Sequence, residues 1–269
     1  MASRGRRKSA GARSGPDARS EQAAGVAERL AGLHPIREAL AARRRTLFWL
    51  EVAATARHPA VGELTEQAIA AGIEVRHREG AAAERLPAPG LALAVGALPE
   101  LGLEELVDHV AARGRRTLVA LDGVEDPQNL GAMARVAEAS GAGGLILTRR
   151  NAPPLSAAVS RASAGAIEWL PVARVTNLSR ALGDLKERQY WILGADLAGA
   201  DSLYQGELGS GGPWVVVLGA EGRGLRDGVR KQLDRAVRIP LGGKVASLNV
   251  STAAAVILFE LMRQSEGAG

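Results

Sequence analysis

The feature that most constrains the fold is the alternation of short apolar segments with helical segments from Thr117 to the C-terminus. Two of the apolar segments, "GLILT" and "WVVVLG", are continuous hydrophobic runs, which is typical of strands buried on both faces of a sheet. Strands that alternate with helices form a mostly parallel sheet covered on both sides. The chain is therefore predicted to be an α/β protein. The other predicted strands are "TLVALDGV", "IEWLPVARV", "YWILGADL" and "RAVRIP", and the predicted helices include "NLGAMARVAEASG", "PLSAAVSRASAG", "NLSRALGDLKER" and the C-terminal "STAAAVILFE".

A shorter α/β pattern precedes this alternation. Helices are predicted in "GLHPIREALAA" and "AVGELTEQAIAAG", and strands in "TLFWLEVAA", "IEVRHR" and "LALAV". We predict a small α/β domain at 29–96, a linker at 97–116 that ends in a helix, and a larger domain at 117–269.

The first residues differ in composition, and 1–28 are predicted to be a disordered basic tail. Residues 1–20 hold six basic side chains and one acidic one, so that the remaining 28 basic and 28 acidic side chains balance. The tail could attract phosphate backbones or could simply raise solubility. Neither a secretory signal nor a membrane span is expected, since the chain has no sufficiently long apolar run. With no cysteine in the sequence, the cytoplasm is the expected location.

The residue types also exclude several chemistries. The chain has no cysteine, and its four histidines all precede Thr117. Within 117–269 this excludes a cysteine nucleophile, a Ser-His-Asp triad and a His-ligated zinc, and no metal is expected. No glycine pattern for a dinucleotide or a nucleoside triphosphate follows a strand. A site in this domain must use Asn, Ser, Asp, Glu, Arg and main-chain groups.

Three polar clusters follow predicted strands, at the edge where open α/β sheets bind ligands. The first, "LDGVEDPQNLGAMAR", offers Asn129 as a possible helix cap, Gly131 for close backbone approach, and Arg135 on the same helix. Taken alone, Asn129 could be only a cap and Arg135 only a solvated residue. The second, "VVVLGAEGRGL", places Glu221 among glycines that expose main-chain groups; a flexible surface loop is the alternative.

The third cluster is "SLNVS" at 247–251, directly before the C-terminal helix. This helix is apolar nearly all round and is therefore expected to be buried, together with its first turn. Ser247, Asn249 and Ser251 could cap the first-turn N–H groups. One cap satisfies most helices, so three polar side chains around Leu248 indicate that a ligand binds here as well.

Taken together, D-G-V-x-D-P-x-N-x-G-x-x-x-R, L-G-x-E-x-x-G-L and I-P-x-x-G-x-x-x-S-L-N-V-S-x-A resemble the three motifs of the SpoU/TrmH ribose 2′-O-methyltransferases. The likeness covers about 117–265. "RASAGAIEWLPVARVTNLSRAL" and "DSLYQGEL" resemble the branch that methylates a guanosine ribose in bacterial large-subunit ribosomal RNA. The segment from Leu30 to Val95 is weakly similar to that branch's L30e-like substrate-binding domain.

The resemblance implies a C-terminal domain tied into a trefoil knot that forms an S-adenosylmethionine pocket, and a homodimer that acts on RNA. It implies cofactor contacts at Leu218, Gly219, Ile239, Leu248 and Asn249. Ser247 and Asn249 are implied to order the site and the substrate ribose, and Asn129 and Glu221 to fix the loops. Arg135 is implied to activate the 2′-hydroxyl.

The role of Arg135 leaves two possibilities, because a guanidinium has a pKa above ~12 and is normally a poor base. Arg135 could be deprotonated in an unusual site, or it could stay charged, hold an RNA phosphate and stabilise the developing alkoxide. The favoured interpretation is methylation of a ribose, expected to be a guanosine, in large-subunit ribosomal RNA. The alternatives are a transfer-RNA enzyme, an antibiotic-resistance methylase of ribosomal RNA and a catalytically silent RNA-binding homologue.

Overall fold

The structure is a computed structural model that describes Gly25 and residues 28–115, 117–196, 201–205, 208, 212–220 and 222–266. The predicted tail, 1–28, lies outside the described residues except for Gly25 and Glu28, and Glu28 already belongs to the first strand. These described residues form one four-stranded and one seven-stranded sheet, with helices packed on both.

The N-terminal sheet has the order β1-β4-β2-β3. Strand β2 pairs parallel with β3 and antiparallel with β4, which in turn pairs antiparallel with β1. Alternate side chains of the strands pack against α1 and α2, with Leu50 and Leu93 fully buried. The elements are β1 (Glu28–Ala31), α1 (Leu33–Ala42), β2 (Leu47–Ala53), α2 (Pro59–Ala70), β3 (Glu74–Arg78), α3 (Gly80–Glu84) and β4 (Leu91–Val95).

The C-terminal sheet has the order β7-β6-β5-β10-β8-β11-β9, and every pair of neighbouring strands in it is parallel. The predicted α/β class and mostly parallel sheet are thus confirmed. The elements are α4 (Leu103–Ala112), β5 (Thr117–Asp122), α5 (Pro127–Ala139), β6 (Gly144–Thr148), α6 (Ala157–Ala162), β7 (Val172–Val175), α7 (Leu178–Glu187), β8 (Trp191–Ala195), β9 (Asp201–Ser202), β10 (Trp214–Gly219), α8 (Asp227–Arg230), β11 (Arg235–Arg238) and α9 (Val250–Glu266).

Two apolar cores cover the two faces of this sheet. One lies under α5 and α9, and the other lies under α4 and α7. The central strand β10 contributes Val216 to the first core and Val215 and Val217 to the second, which explains its unbroken hydrophobic sequence. Helix α4, within the predicted linker, buries Leu106 and Val110 in the second core.

The predicted strand over 167–175 is wrong in its first half. Residues Ala166–Glu168 form a 3-10 turn, and the strand begins only at Val172, after Pro171. Gly165 precedes the turn with a φ of 87°, a left-handed conformation that glycine adopts without strain. The predicted helix over 154–165 is likewise shorter than expected, because only Ala157–Ala162 are helical.

A buried polar network joins the N-terminal sheet to this 3-10 turn. The Arg45 guanidinium, with no exposed surface, donates from Nε to Glu168 Oε2 at 2.9 Å and from Nη1 to Glu28 Oε1 at 2.9 Å. Ser160 Oγ donates to Glu168 Oε1 at 2.8 Å. Burial lowers the pKa of Arg45, but the hydrogen bonds to Glu168 and Glu28 outweigh it and leave that pKa raised. The charge of Arg45 is thus compensated inside the protein.

Candidate active site

A cavity of about 730 Å³ opens at the carboxyl edge of the seven-stranded sheet. Strands β8, β10 and β11 supply its floor, and the segment before α9 forms its opposite wall. Each of the five predicted cofactor contacts lines this cavity: Leu218, Gly219, Ile239, Leu248 and Asn249. The structure therefore brings together residues that are up to 31 positions apart, at the positions where the family resemblance implies cofactor contacts.

Gly219, the last residue of β10, lies where a side chain has no room. A Cβ atom there would be 2.2 Å from the carbonyl carbon of Gly224 and 2.6 Å from the amide nitrogen of Leu225. The turn closes on itself through Gly224 N–H, which donates to Ala220 O at 2.9 Å, and Gly224 has a φ of 65°. This close packing presents main-chain groups to the cavity.

The same turn is tied to strand β5 by an ion pair that the sequence analysis missed. The buried Asp122 carboxylate accepts from the main-chain N–H of Arg226 at 2.8 Å and from its Nε at 2.6 Å. Asp122 is the aspartate of the D-G-V motif, directly beside Gly219 in the sheet register. The position of Asp122 at the end of a hydrophobic strand could have indicated this ion pair, because a carboxylate buried there needs a partner.

A second ion pair lies in the cavity wall. Arg230 of α8 donates from Nε to Asp196 Oδ2 at 2.6 Å, just after β8 ends. Both residues line the cavity, and neither lies in the three polar clusters of the sequence. The wall therefore combines apolar side chains with paired charges and open main-chain groups.

Asn249 connects the first and third polar clusters. Its Nδ2 donates to Asn129 Oδ1 at 3.0 Å across 120 residues, and its Oδ1 accepts from the N–H of Ser251 at 2.9 Å. Ser251 Oγ also donates to the same oxygen at 2.6 Å. Asn249 therefore caps α9 and fixes Asn129 at once, which accounts for the amide side chain at this position.

Asn129 does not cap α5, which corrects that expectation. The cap is Asp126, whose carboxylate oxygens accept from the N–H groups of Gln128 at 3.1 Å and Asn129 at 3.3 Å. The Asn129 side chain is thereby available for Asn249. Gly131 does allow the close approach that was predicted, since a Cβ atom there would be 2.3 Å from the Cβ of Ala162 and 2.9 Å from the amide nitrogen of Ser163.

The remaining predicted site residues have different placements. Arg135 is exposed on α5, and its guanidinium has no hydrogen-bond or ion-pair partner in the part of the chain that the structure describes. Ser247 lines the cavity with an exposed side chain. Glu221 lies outside the described residues.

The expectation that α9 is buried all round is wrong for the single chain. One face, with Ala254, Ile257 and Leu258, packs into the core, whereas Phe259 is 42% exposed. Asn249 and Ser247 at the start of the helix are exposed as well. Within the described ranges, no helix is long and apolar enough to cross a membrane, and no group of three His, Asp or Glu side chains could hold a metal ion.

The sequence of this chain is similar to those of known proteins. The family model for the SpoU rRNA methylases matches residues 116–259. The chain is 39% identical over 248 residues to the 23S rRNA (guanosine-2′-O-)-methyltransferase RlmB of Bordetella pertussis, covering 88% of this chain and 98% of that protein.

Solved structures agree with the fold. The SpoU methyltransferase AviRb of Streptomyces viridochromogenes, in complex with AdoMet, has a TM-score of 0.75 at 24% identity, covering 93% of this chain and 94% of that one. An AdoMet-bound rRNA methyltransferase from Sinorhizobium meliloti has a TM-score of 0.68 at 25% identity and covers 87% of this chain and 86% of that one.

Proposed function

Because the chain belongs to the SpoU rRNA methylase family, we propose that it transfers a methyl group from S-adenosylmethionine to the 2′-hydroxyl of a guanosine ribose in large-subunit ribosomal RNA. The observation that carries this proposal is the cavity between Gly219 and the 247–251 segment, where the three polar clusters of the sequence meet. The substrate follows from the 39% identity with a 23S rRNA guanosine 2′-O-methyltransferase over nearly the whole of that protein.

The cavity fits S-adenosylmethionine in size and in character. Leu218, Ile239 and Leu248 offer apolar contact to an adenine ring, and the tight turn after Gly219 offers main-chain donors and acceptors. The Asn249–Asn129 bond fixes the wall opposite that turn. When bound, the cofactor supplies an electrophilic methyl group, and the protein has to align the ribose oxygen with it.

Arg135 is assigned to the ribose. It is six residues beyond Asn129 on α5, and no protein carboxylate among the described residues neutralises it. Transfer would break the bond between the methyl group and the sulfonium sulfur, leaving S-adenosylhomocysteine, and the 2′-hydroxyl proton would pass to solvent water. A charged guanidinium that holds the RNA phosphate would stabilise the negative charge that develops on the 2′-oxygen. This assignment does not require an unusually low arginine pKa. Ser247, exposed at the cavity, is assigned to the substrate ribose, and Glu221 to the loop that follows β10.

Substitution of Arg135 tests the proposal. Arg135→Ala should abolish methyl transfer to ribosomal RNA while the calorimetric affinity for S-adenosylmethionine stays within about twofold, because the residue does not line the cavity. Arg113→Ala, at an exposed arginine on the opposite edge of the sheet, is the matched control and should keep full transfer. Equal losses of cofactor affinity and of turnover in Arg135→Ala would refute the role assigned to Arg135.

We further propose that the C-terminal region is knotted. After β11 the chain crosses the ends of β8 and β10 to reach Asn129 beside β5, while the turn after β10 is tied back to Asp122 through Arg226. A trefoil forms when the C-terminal segment is threaded through the loop made by the other segment, and the crossing of the two at one sheet edge supports this arrangement. The cavity lies between these two segments.

A homodimer is proposed from the surface of α9. This helix packs along α5 and leaves Phe259 42% exposed, although most of its sequence is apolar. A second copy of the chain that covers this face would also lie close to Asn249 and Ser247 at the start of the helix. The N-terminal sheet, none of whose described residues lines the cavity, is proposed to bind part of the RNA.

A further inference from the structure

Two consecutive arginines, Arg149 and Arg150, follow β6 at the same sheet edge as the cavity. The register places Leu147 of β6 beside Leu121 of β5, and Leu121 beside Leu218 of β10. With neighbouring strands ~4.8 Å apart, β6 lies ~10 Å from β10. The arginine pair is therefore next to the cavity, on the side of α5 and Arg135.

The main chain of this pair is held in place from several directions. Arg149 N–H donates to Val175 O at 2.8 Å, and Thr148 Oγ1 donates to the carbonyl oxygen of Arg150. Arg174 Nη2 donates to Pro153 O at 2.6 Å, and Arg174 is itself held by Glu100 at 2.8 Å. The loop is fixed, whereas both side chains that follow β6 are exposed.

The charge of the pair is not compensated locally. Neither guanidinium has an ion-pair or hydrogen-bond partner among the residues that the structure describes. Other arginines at this edge are paired, as Arg226 is with Asp122 and Arg230 with Asp196. Beyond residue 20 the sequence carries equal numbers of basic and acidic side chains. Two adjacent arginines without an acidic partner among the described residues are therefore a local feature and do not reflect a general excess of basic residues.

Two acidic residues, Glu125 and Asp126, follow β5 at the same edge of the sheet. Among the described residues neither forms an ion pair with Arg149 or Arg150, and the Asp126 carboxylate is engaged with the N–H groups at the start of α5. The positive surface is continued by Arg223 and Arg238 at the rim of the cavity.

We propose that Arg149 and Arg150 bind the phosphates of the RNA strand next to the methylated nucleotide, and so set which nucleotide reaches the cavity. This inference rests on the proposed function. A guanidinium holds a phosphate through two parallel hydrogen bonds, so less side-chain entropy is lost for each bond formed, and the main chain of this loop is already held in place. Contacts of this kind fix the register of an RNA strand without reading its bases.

The test compares Arg149→Gln/Arg150→Gln with Arg113→Gln/Arg115→Gln in the full chain. Arg113 and Arg115 are exposed arginines just before β5, at the opposite edge of the same sheet. The probe is transcribed large-subunit ribosomal RNA. The measurements are its Kd between 50 and 200 mM salt, KM and kcat for methyl transfer, and the affinity for S-adenosylmethionine alone.

Loss of two phosphate contacts should lower the slope of log Kd against log salt by about 2. The Arg149/Arg150 variant should therefore bind RNA about 16-fold more weakly than the parent at 50 mM salt and approach it at 200 mM. KM for RNA should rise in parallel, with cofactor affinity unchanged. The Arg113/Arg115 variant should follow the parent in every measurement.

Parent-like RNA binding by the Arg149/Arg150 variant would overturn the inference, and so would an equal loss in the Arg113/Arg115 variant, which would reflect general charge. These results differ from a failure of the proposed function, in which the parent chain itself would transfer no methyl group to the RNA. A salt-dependent loss of RNA binding would support the arginine contacts even then.

Discussion

Replacing Gly219 by alanine tests whether the turn after β10 shapes the cofactor site. The added Cβ would be 2.2 Å from the carbonyl carbon and 2.4 Å from the oxygen of Gly224, where ordinary contact begins at 3.4 Å. These are main-chain atoms, so no side-chain rotation can relieve the overlap. The segment from Gly224 to Leu225 must move by about 1 Å or more.

The size of the effect follows from the cost of this overlap. Overpacking in a well-packed region costs ~1–3 kcal/mol. The free protein can avoid the overlap by moving the turn outward, but the cofactor needs the turn in place, so this cost is transferred to binding. A difference of 1–3 kcal/mol corresponds to a loss of affinity of about 5- to 150-fold.

Isothermal titration of Gly219→Ala with S-adenosylmethionine measures this loss. Gly242→Ala is the matched control, since a Cβ atom there meets nothing within 4 Å; its affinity should stay within about twofold of the parent. Parent-like affinity in Gly219→Ala, or an equal loss in Gly242→Ala, would refute the argument that the turn holds the cofactor.

Three further substitutions test other parts of the structure. Glu168→Gln should lower the free energy of unfolding by ~3 kcal/mol in urea titrations, because the buried Arg45 guanidinium would keep only Glu28 as an ion-pair partner. A loss below ~1 kcal/mol would contradict the buried network. Gly62→Ala, on the exposed face of α2 near its N-terminus and with open space around the Cβ, should raise the free energy of unfolding by ~0.5–1 kcal/mol; destabilisation would argue against a helix there. Hydrogen bonds from Arg263 hold the pKa of Glu260 down to about 2, so this pair stabilises the folded state above the ordinary carboxyl pKa and ceases to do so as pH falls towards 2. Glu260→Gln should therefore flatten the loss of melting temperature between about pH 4.5 and 2, and an unchanged profile would exclude the pair as its cause.

The sequence was sufficient for the central elements of the larger sheet. "WVVVLG" and "GLILT" were predicted as strands because a strand buried on both faces must be hydrophobic at every position, and they are β10 and β6. Strand β1 was missed because its sequence, "ERLA", buries only Leu30. Strand β9, with two residues, is too short for any periodicity.

In the candidate site, the sequence indicated which segments meet but not every contact within them. Asp126 and Asn129 are both good cap residues, and the decisive signal was Pro127, because proline favours the first helical position and so makes the residue before it the cap. The bond between Asn129 and Asn249 spans 120 residues and could not be read from local pattern. Likewise, apolar residues around α9 indicate burial without indicating whether the same chain or a second copy covers Phe259.

The most direct test of the central claim is the transfer of tritium from methyl-labelled S-adenosylmethionine to ribosomal RNA and transfer RNA offered separately, with the position mapped by ribose-methylation sequencing. The proposed function predicts label at one guanosine ribose of the large-subunit RNA, and none with Arg135→Ala. Label confined to transfer RNA would contradict the substrate. The absence of label in naked RNA and in assembling ribosomal particles, with S-adenosylmethionine still bound, would contradict the proposed activity and leave a catalytically silent RNA-binding protein.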